Sequence, residues 1–118
     1  MDNIKYSGNE IIINNKKIRF KYNIFKVKEL SGKIFVLLDI PFDIEIGEDE
    51  LNNFFCFLPN GDLLWRIAKL DTKKYGKTEL PYENFVLTNE KCSVINFSGG
   101  NYTVNIDNGE IIDMKFVK

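Results

Sequence analysis

Phe54-Phe55-Cys56-Phe57-Leu58-Pro59-Asn60-Gly61-Asp62-Leu63-Leu64-Trp65-Arg66-Ile67 reads as two strands joined by a Gly-centred reversal, and this stretch decides the fold class. Pro59 carries the φ of the first corner of a type I turn, and Gly61 suits the left-handed position that closes a bulged loop. In that register Leu58 faces Asp62, Phe57 meets Leu63 and Phe55 meets Trp65, which collects large apolar side chains on one face. A two-residue Asn60-Gly61 loop would instead pair Trp65 with Cys56 and Phe55 with Arg66, dividing the aromatic residues between faces. The bulged register is preferred because it keeps them together.

The pattern recurs from Cys92 to Phe116 and there extends to a third strand. A loop at Asp107-Asn108-Gly109 pairs Val104 with Ile112, Thr103 with Asp113 and Tyr102 with Met114, with Gly109 left-handed. Gly99-Gly100, read as a two-residue loop, pairs Phe97 with Tyr102 and Ile95 with Val104. The strands then agree on one buried face made of Ile95, Phe97, Tyr102, Val104, Ile106, Ile112, Met114 and Phe116, while Thr103, Asn105, Asp113 and Lys115 face water.

Upstream, Glu10 to Asn14 and Lys17 to Tyr22 form a hairpin around Asn14-Asn15-Lys16, with Ile18, Phe20 and Tyr22 inward. A strand from Asn23 to Leu30 turns at Ser31-Gly32 into Ile34-Phe35-Val36-Leu37-Leu38, which is apolar on both faces and is expected to be a central strand. Pro41 to Asn53 reads as an exposed acidic loop, Asp71 to Pro81 as a second loop, and Tyr82 to Thr88 as a returning strand. No window sustains helical apolar spacing with caps. The expectation is one all-β domain over residues 1–118, an antiparallel meander of about eight or nine strands forming a two-layer sandwich or a partly open barrel.

The run Asn53 to Phe57, Gly61, and Leu64 to Ile67 looks like a blade of quinoprotein-type β-propellers. Combined with the apolar strand ending at Pro41 and with Tyr102, Val104, Ile106, Asp107, Gly109 and Ile112, it resembles more fully a group of small, functionally uncharacterised bacterial β proteins. About nine strands amount to roughly two blades, fewer than the four that close a propeller, so the resemblance implies no cofactor.

The chain has 118 residues, 44% of them apolar, with ten Phe and one Trp, so it has the material for a core without covalent staples. Met1 to Ser7 lacks the basic start and apolar run of a signal peptide, and no apolar stretch approaches the roughly 18 residues of a membrane helix, so no membrane partner and a cytoplasmic location are expected. Cys56 and Cys92 are then buried free thiols. Histidine is absent, which excludes Ser-His and Cys-His nucleophile pairs and any usual zinc site. Glu48-Asp49-Glu50 lacks the spacing of an EF-hand loop, and Asp39 with Asp43 are neighbours in sequence without being placed across a cleft. Neither an enzyme nor a cofactor or metal is expected.

The net charge of −1 hides a segregated distribution: +5 up to Lys33, −7 from Ile34 to Trp65 with no base at all, and +1 thereafter. Lys16, Lys17, Arg19, Lys21, Lys26 and Lys28 lie near Phe20, Tyr22 and Phe25, but the near-zero net charge and acidic middle weigh against nucleic acid and favour a solvated strand face. The leading expectation is a protein-interaction domain whose acidic loop of Asp43, Glu45, Glu48, Asp49 and Glu50 meets a partner with a basic surface, an immunity protein that neutralises a toxin being its concrete form. The alternative is a small-molecule-binding or enzyme-accessory domain with a pocket between sheets lined by Trp65, Tyr82 and Tyr102.

Overall fold

Asn14 and Asn15 both take positive φ, 49° and 69°, and so build the two-residue loop that matches strand twist between β2 (Glu10–Ile13) and β3 (Lys16–Arg19). Ser31 and Gly32, at 51° and 74°, do the same between β4 (Ile24–Leu30) and β5 (Lys33–Leu38). The computed structural model describes residues 3–75, 80–89 and 91–116. Part of the loop expected from Asp71 to Pro81 lies outside them. The described residues form eleven antiparallel strands in three sheets, each made of strands consecutive in sequence. With β2 and β3 goes β1 (Ile4–Ser7); with β4 and β5 go β6 (Phe54–Phe57) and β7 (Leu63–Arg66); the third sheet is β8 (Tyr82–Thr88), β9 (Lys91–Asn96), β10 (Gly100–Val104) and β11 (Ile111–Phe116). Two single helical turns, α1 (Glu48–Leu51) and α2 (Thr72–Tyr75), sit in the connections. The strand count exceeds the expectation partly because β1 is an edge strand with mostly exposed side chains, which gives no burial alternation to read.

The second sheet is the middle layer of a stack, as the doubly apolar β5 foretells. Phe35 and Leu37 join Phe54, Cys56 and Trp65 against Tyr82, Phe85, Cys92, Val94, Tyr102 and Val104 of the third sheet. Ile34, Val36 and Leu38 turn the other way and pack with Phe57 against Ile11 and Ile13 of the first sheet. The outer faces are largely polar: Lys5, Ile12 and Lys17 form one cross-strand row on the first sheet, and Ser93, Thr103 and Asp113 form one on the third.

Three expected strand pairings are corrected, one wholly and two beyond a bulge. The Pro59-Asn60-Gly61 loop forms as read, with Leu58 N–H donating to Asp62 O at 2.8 Å, Gly61 at φ 91° and Phe57 opposite Leu63. A further bulge at Leu64 then pairs Cys56 with Trp65 and Phe55 with Arg66. Phe55 and Trp65 therefore lie on opposite faces, and Phe55 is only partly buried. The reason is that β6 is covered on both sides, so its alternate residues fill two cores, and the bulge delivers Trp65 to the larger one.

In the third sheet, Phe97-Ser98-Gly99 forms the loop, with Gly99 at φ 89°, and Gly100 is a strand residue. Tyr102 now pairs with Val94 and Val104 with Cys92, an odd shift that exchanges the faces. Cys92, Val94 and Asn96 are buried, whereas Phe97 is exposed and Ile95 is partly so, contrary to expectation. Gly100 is held in the strand by its N–H bond to Asn96 Oδ1 at 2.9 Å and by the Tyr102 ring, whose hydroxyl would lie 2.6 Å from an added Cβ. The Asp107-Asn108-Gly109 turn does pair Tyr102 with Met114 and Thr103 with Asp113, with Gly109 at φ 78°. A bulge then sets Val104 opposite Ile111 and turns Ile112 outward, and Asn105, expected in water, is partly buried where its side chain caps the turn.

Candidate functional site

The acidic segment after β5 does not stay an open loop. Glu50 is buried: its Oε1 accepts the Gly47 N–H at 2.8 Å, and its Oε2 accepts the Tyr22 hydroxyl at 2.8 Å and the Lys21 ammonium at 3.2 Å. Asp49 pairs with Arg66 and Glu48 with Lys69. The base-free stretch is thus neutralised by bases from both flanking thirds of the chain, and Lys16 with Asp62 repeats the device. Glu48, Asp49 and Glu50, expected as one solvated interaction surface, are engaged within the fold, and Glu50 lies beneath the surface. Asp43 and Glu45 remain exposed.

The Tyr22 hydroxyl, the Gly47 N–H and Lys21 hold the Glu50 carboxyl down to about 2. A depressed carboxyl contributes stability that is present above its unfolded pKa and lost as pH falls through the folded one. The melting temperature should therefore drop between about pH 5 and pH 2, and in Glu50→Gln this part of the acid limb should flatten while stability near pH 7 falls by about 2 kcal/mol. A Gln variant with an unchanged acid limb contradicts the assignment.

Beside the free acids, the fold assembles a feature of a different kind. Phe25 of β4, Phe42 of the loop after β5, and Phe97 after β9 are 53%, 76% and 50% exposed, and all three line one cleft of about 200 Å³. The rings of Phe42 and Phe97 meet edge to face with centroids 4.9 Å apart. Leu38, Ile40, Pro81 and Tyr82 complete the apolar wall, and Asp39 and Glu83 contribute carboxylates. Asp43 follows Phe42 directly in the chain, with Glu45 two residues beyond. Among the described residues, no lysine or arginine pairs with Asp39, Asp43, Glu45 or Glu83.

Of the residues expected to line a pocket between sheets, Tyr82 reaches this cleft, while Trp65 and Tyr102 are buried in the core. Burial raises the Tyr82 and Tyr102 hydroxyls above their ordinary value and pushes the Cys56 and Cys92 thiols, both free, up to about 12. In the basic N-terminal third Lys16, Lys17, Arg19, Lys21 and Lys28 are exposed, as a solvated strand face requires, and several bases make contacts within the fold. Arg19 bonds Glu10, Lys26 donates to Asn84 Oδ1 and Phe85 O at 3.0 and 2.6 Å, and Phe20 packs on Phe55 and Phe57.

A family model described as a domain of unknown function, DUF7957, matches residues 1–116. The chain belongs to the DUF7957 family. Among curated proteins none matches. The crystal structure of the computationally designed Ika8 protein is similar to this DUF7957 domain with a TM-score of 0.61 at 6% identity, over 95% of this chain and 35% of that one. The chain thus spans about a third of that designed protein, and the likeness is one of fold alone.

Of the cleft, the sequence reading reaches Tyr82; Phe42 carries a further signal, since an aromatic residue between Pro41 and Asp43 in a pattern-breaking loop has no strand face to fill. Phe97 was hidden by the Gly99-Gly100 register, and Asp39 and Glu83 have no signal in sequence that joins them.

Proposed function

We propose that this domain is a non-enzymatic protein-interaction module that docks a basic partner on the Phe25, Phe42 and Phe97 cleft and its carboxylates. The observation that carries this reading is the convergence of three exposed phenylalanines on one concavity beside acids that, among the described residues, no lysine or arginine pairs with. Scattered exposed apolar residues need no explanation, but a contiguous aromatic patch with a polar rim marks an interaction surface. Aromatic anchors in such a patch supply affinity, and the surrounding charge supplies steering and selectivity.

The specific form we favour is an immunity protein that covers the basic groove of a toxin in the cytoplasm. The acidic surplus beside the cleft supports it by complementarity, and the two buried reduced cysteines fit a reducing compartment. The test begins with affinity capture from source cells and identification of the partner by mass spectrometry, followed by binding kinetics. Asp43→Lys with Glu45→Lys should lower the association rate roughly tenfold at low salt, and Phe42→Ala should speed dissociation by a similar factor, both with unchanged melting temperatures. Unaltered kinetics in both variants would remove this surface from the interaction.

A further inference from the structure

We infer that the cleft lined by Phe25, Phe42 and Phe97 receives an arginine side chain of the protein partner, laid against the open side of the Phe42–Phe97 ring pair. This rests on the docking reading above and specifies its central contact.

The fold already contains the arrangement in question. Arg66 lies with its guanidinium carbon 4.8 Å from the centroid of the Phe55 ring, while its Nη1 is 3.3 Å from Asp49 Oδ1 and its Nη2 donates to Asp49 O at 2.7 Å. An aromatic face, a guanidinium and an acid thus form one unit. Lys26 over Phe85, Lys21 over Tyr22 and Lys74 over Tyr75 repeat the cation-on-ring half of it. The cleft offers the same two outer members, the paired rings of Phe42 and Phe97 and the carboxylates of Asp39 and Glu83, and among the described residues no cation of the chain lies between them.

The chemistry narrows the occupant. An aliphatic side chain would fill the apolar wall but leave the carboxylates without a role, and an acidic one would be repelled. An ammonium is compact and strongly hydrated, so it loses more on leaving water for a partly apolar cleft. A guanidinium is planar and weakly hydrated; it stacks on an aromatic face and presents its edge donors to a carboxylate in the same pose. The volume of about 200 Å³ suits one side chain, not a helix or a strand.

The experiment uses the intact domain labelled with nitrogen-15 and carbon-13, titrated by NMR with N-acetyl-arginine N-methylamide and with the matching lysine and norleucine compounds. The arginine compound should give saturable shifts confined to Phe25, Phe42, Tyr82, Glu83 and Phe97, with a dissociation constant in the millimolar range expected of a single detached side chain. The lysine compound should bind roughly fivefold more weakly, and norleucine should give no saturable shift. Phe42→Ala removes an exposed ring and Asp39→Asn with Glu83→Gln removes the charge; each should abolish saturation while leaving the rest of the spectrum in place. Absence of saturation with arginine in the native domain, equal binding of norleucine, or tighter binding of tetramethylammonium than of the arginine compound overturns the assignment. Partner association that stays sensitive to Asp43 and Glu45 after such a result removes the arginine anchor alone, whereas insensitivity removes the docking surface itself.

Discussion

Trp65→Ala is expected to destabilise the domain by about 3–5 kcal/mol, a large share of the 5–15 kcal/mol typical of a whole domain. Trp65 is buried and meets Phe54 and Phe35 edge to face at centroid distances of 5.6 and 6.1 Å. Its Nε1 donates to Ile106 O at 2.8 Å, which ties β7 to the turn between β10 and β11. Gly109 of that turn lies against the indole so closely that an added Cβ would be 2.7 Å from Trp65 Cε3. Truncation therefore removes core volume, takes the indole donor from the Ile106 carbonyl, and weakens the tie between the second sheet and the last hairpin, which the Ala68 N–H bond to Gly109 O at 2.9 Å still holds. Urea denaturation should show a much lower midpoint with an unchanged slope, and Trp65→Phe, which keeps a ring but loses the indole donor, should recover more than half of the loss. A Trp65→Ala midpoint equal to that of the native chain would show that the ring is not a core element.

Asn53→Leu should cost about 4 kcal/mol, although it replaces a polar residue by an apolar one of similar size in the interior. The Asn53 side chain is fully buried and bridges two sheets: Nδ2 donates to Leu38 O and Tyr82 O, both at 2.9 Å, and Oδ1 accepts the Tyr82 N–H at 3.1 Å. Leucine would strip two buried carbonyls and one buried N–H of the bonds they make to Asn53, and a buried group left unsatisfied costs about 1–3 kcal/mol. The loss falls beside the cleft, because Tyr82 is part of its wall. Hydrogen exchange gives a local readout: the Tyr82 amide should be protected in the native chain and exchange orders of magnitude faster in the variant. Equal protection in both would mean that the bridge holds nothing.

The acidic segment shows why the site was only partly visible beforehand. Seven acids without a base between Ile34 and Trp65 look like a continuous charged surface when read along the chain. In three dimensions Lys21, Arg66 and Lys69 reach Glu50, Asp49 and Glu48, and four of the seven acids are paired once Lys16 and Asp62 are included. Of what remains outward, Asp39 lines the cleft together with Phe25 of β4, Glu83 of β8 and Phe97 of the loop after β9, and Asp43 and Glu45 follow Phe42 in the chain. Both the cancellation and the addition are long-range, and a linear charge profile contains neither.

The all-β class, the doubly covered strand from Ile34 to Leu38, and the turns at Ser31-Gly32, Gly61 and Gly109 were legible in the sequence, because each depends on backbone conformation or burial pattern within a few residues; the turn expected over Asn14-Asn15-Lys16 is also present but closes on Asn14-Asn15, with Lys16 already in β3. The faces on which Trp65, Phe97 and Ile112 lie were set by packing between distant strands. One extra residue at Leu64, at Ile112 or in the Phe97-Ser98-Gly99 loop exchanges the faces of a strand, and the local difference between such registers is small. The choice passes to packing between layers: Trp65 goes where Phe35, Phe54 and Gly109 leave room for it, and Phe97 goes outward because Tyr102 lies over Gly100 and Asn96 takes the interior position.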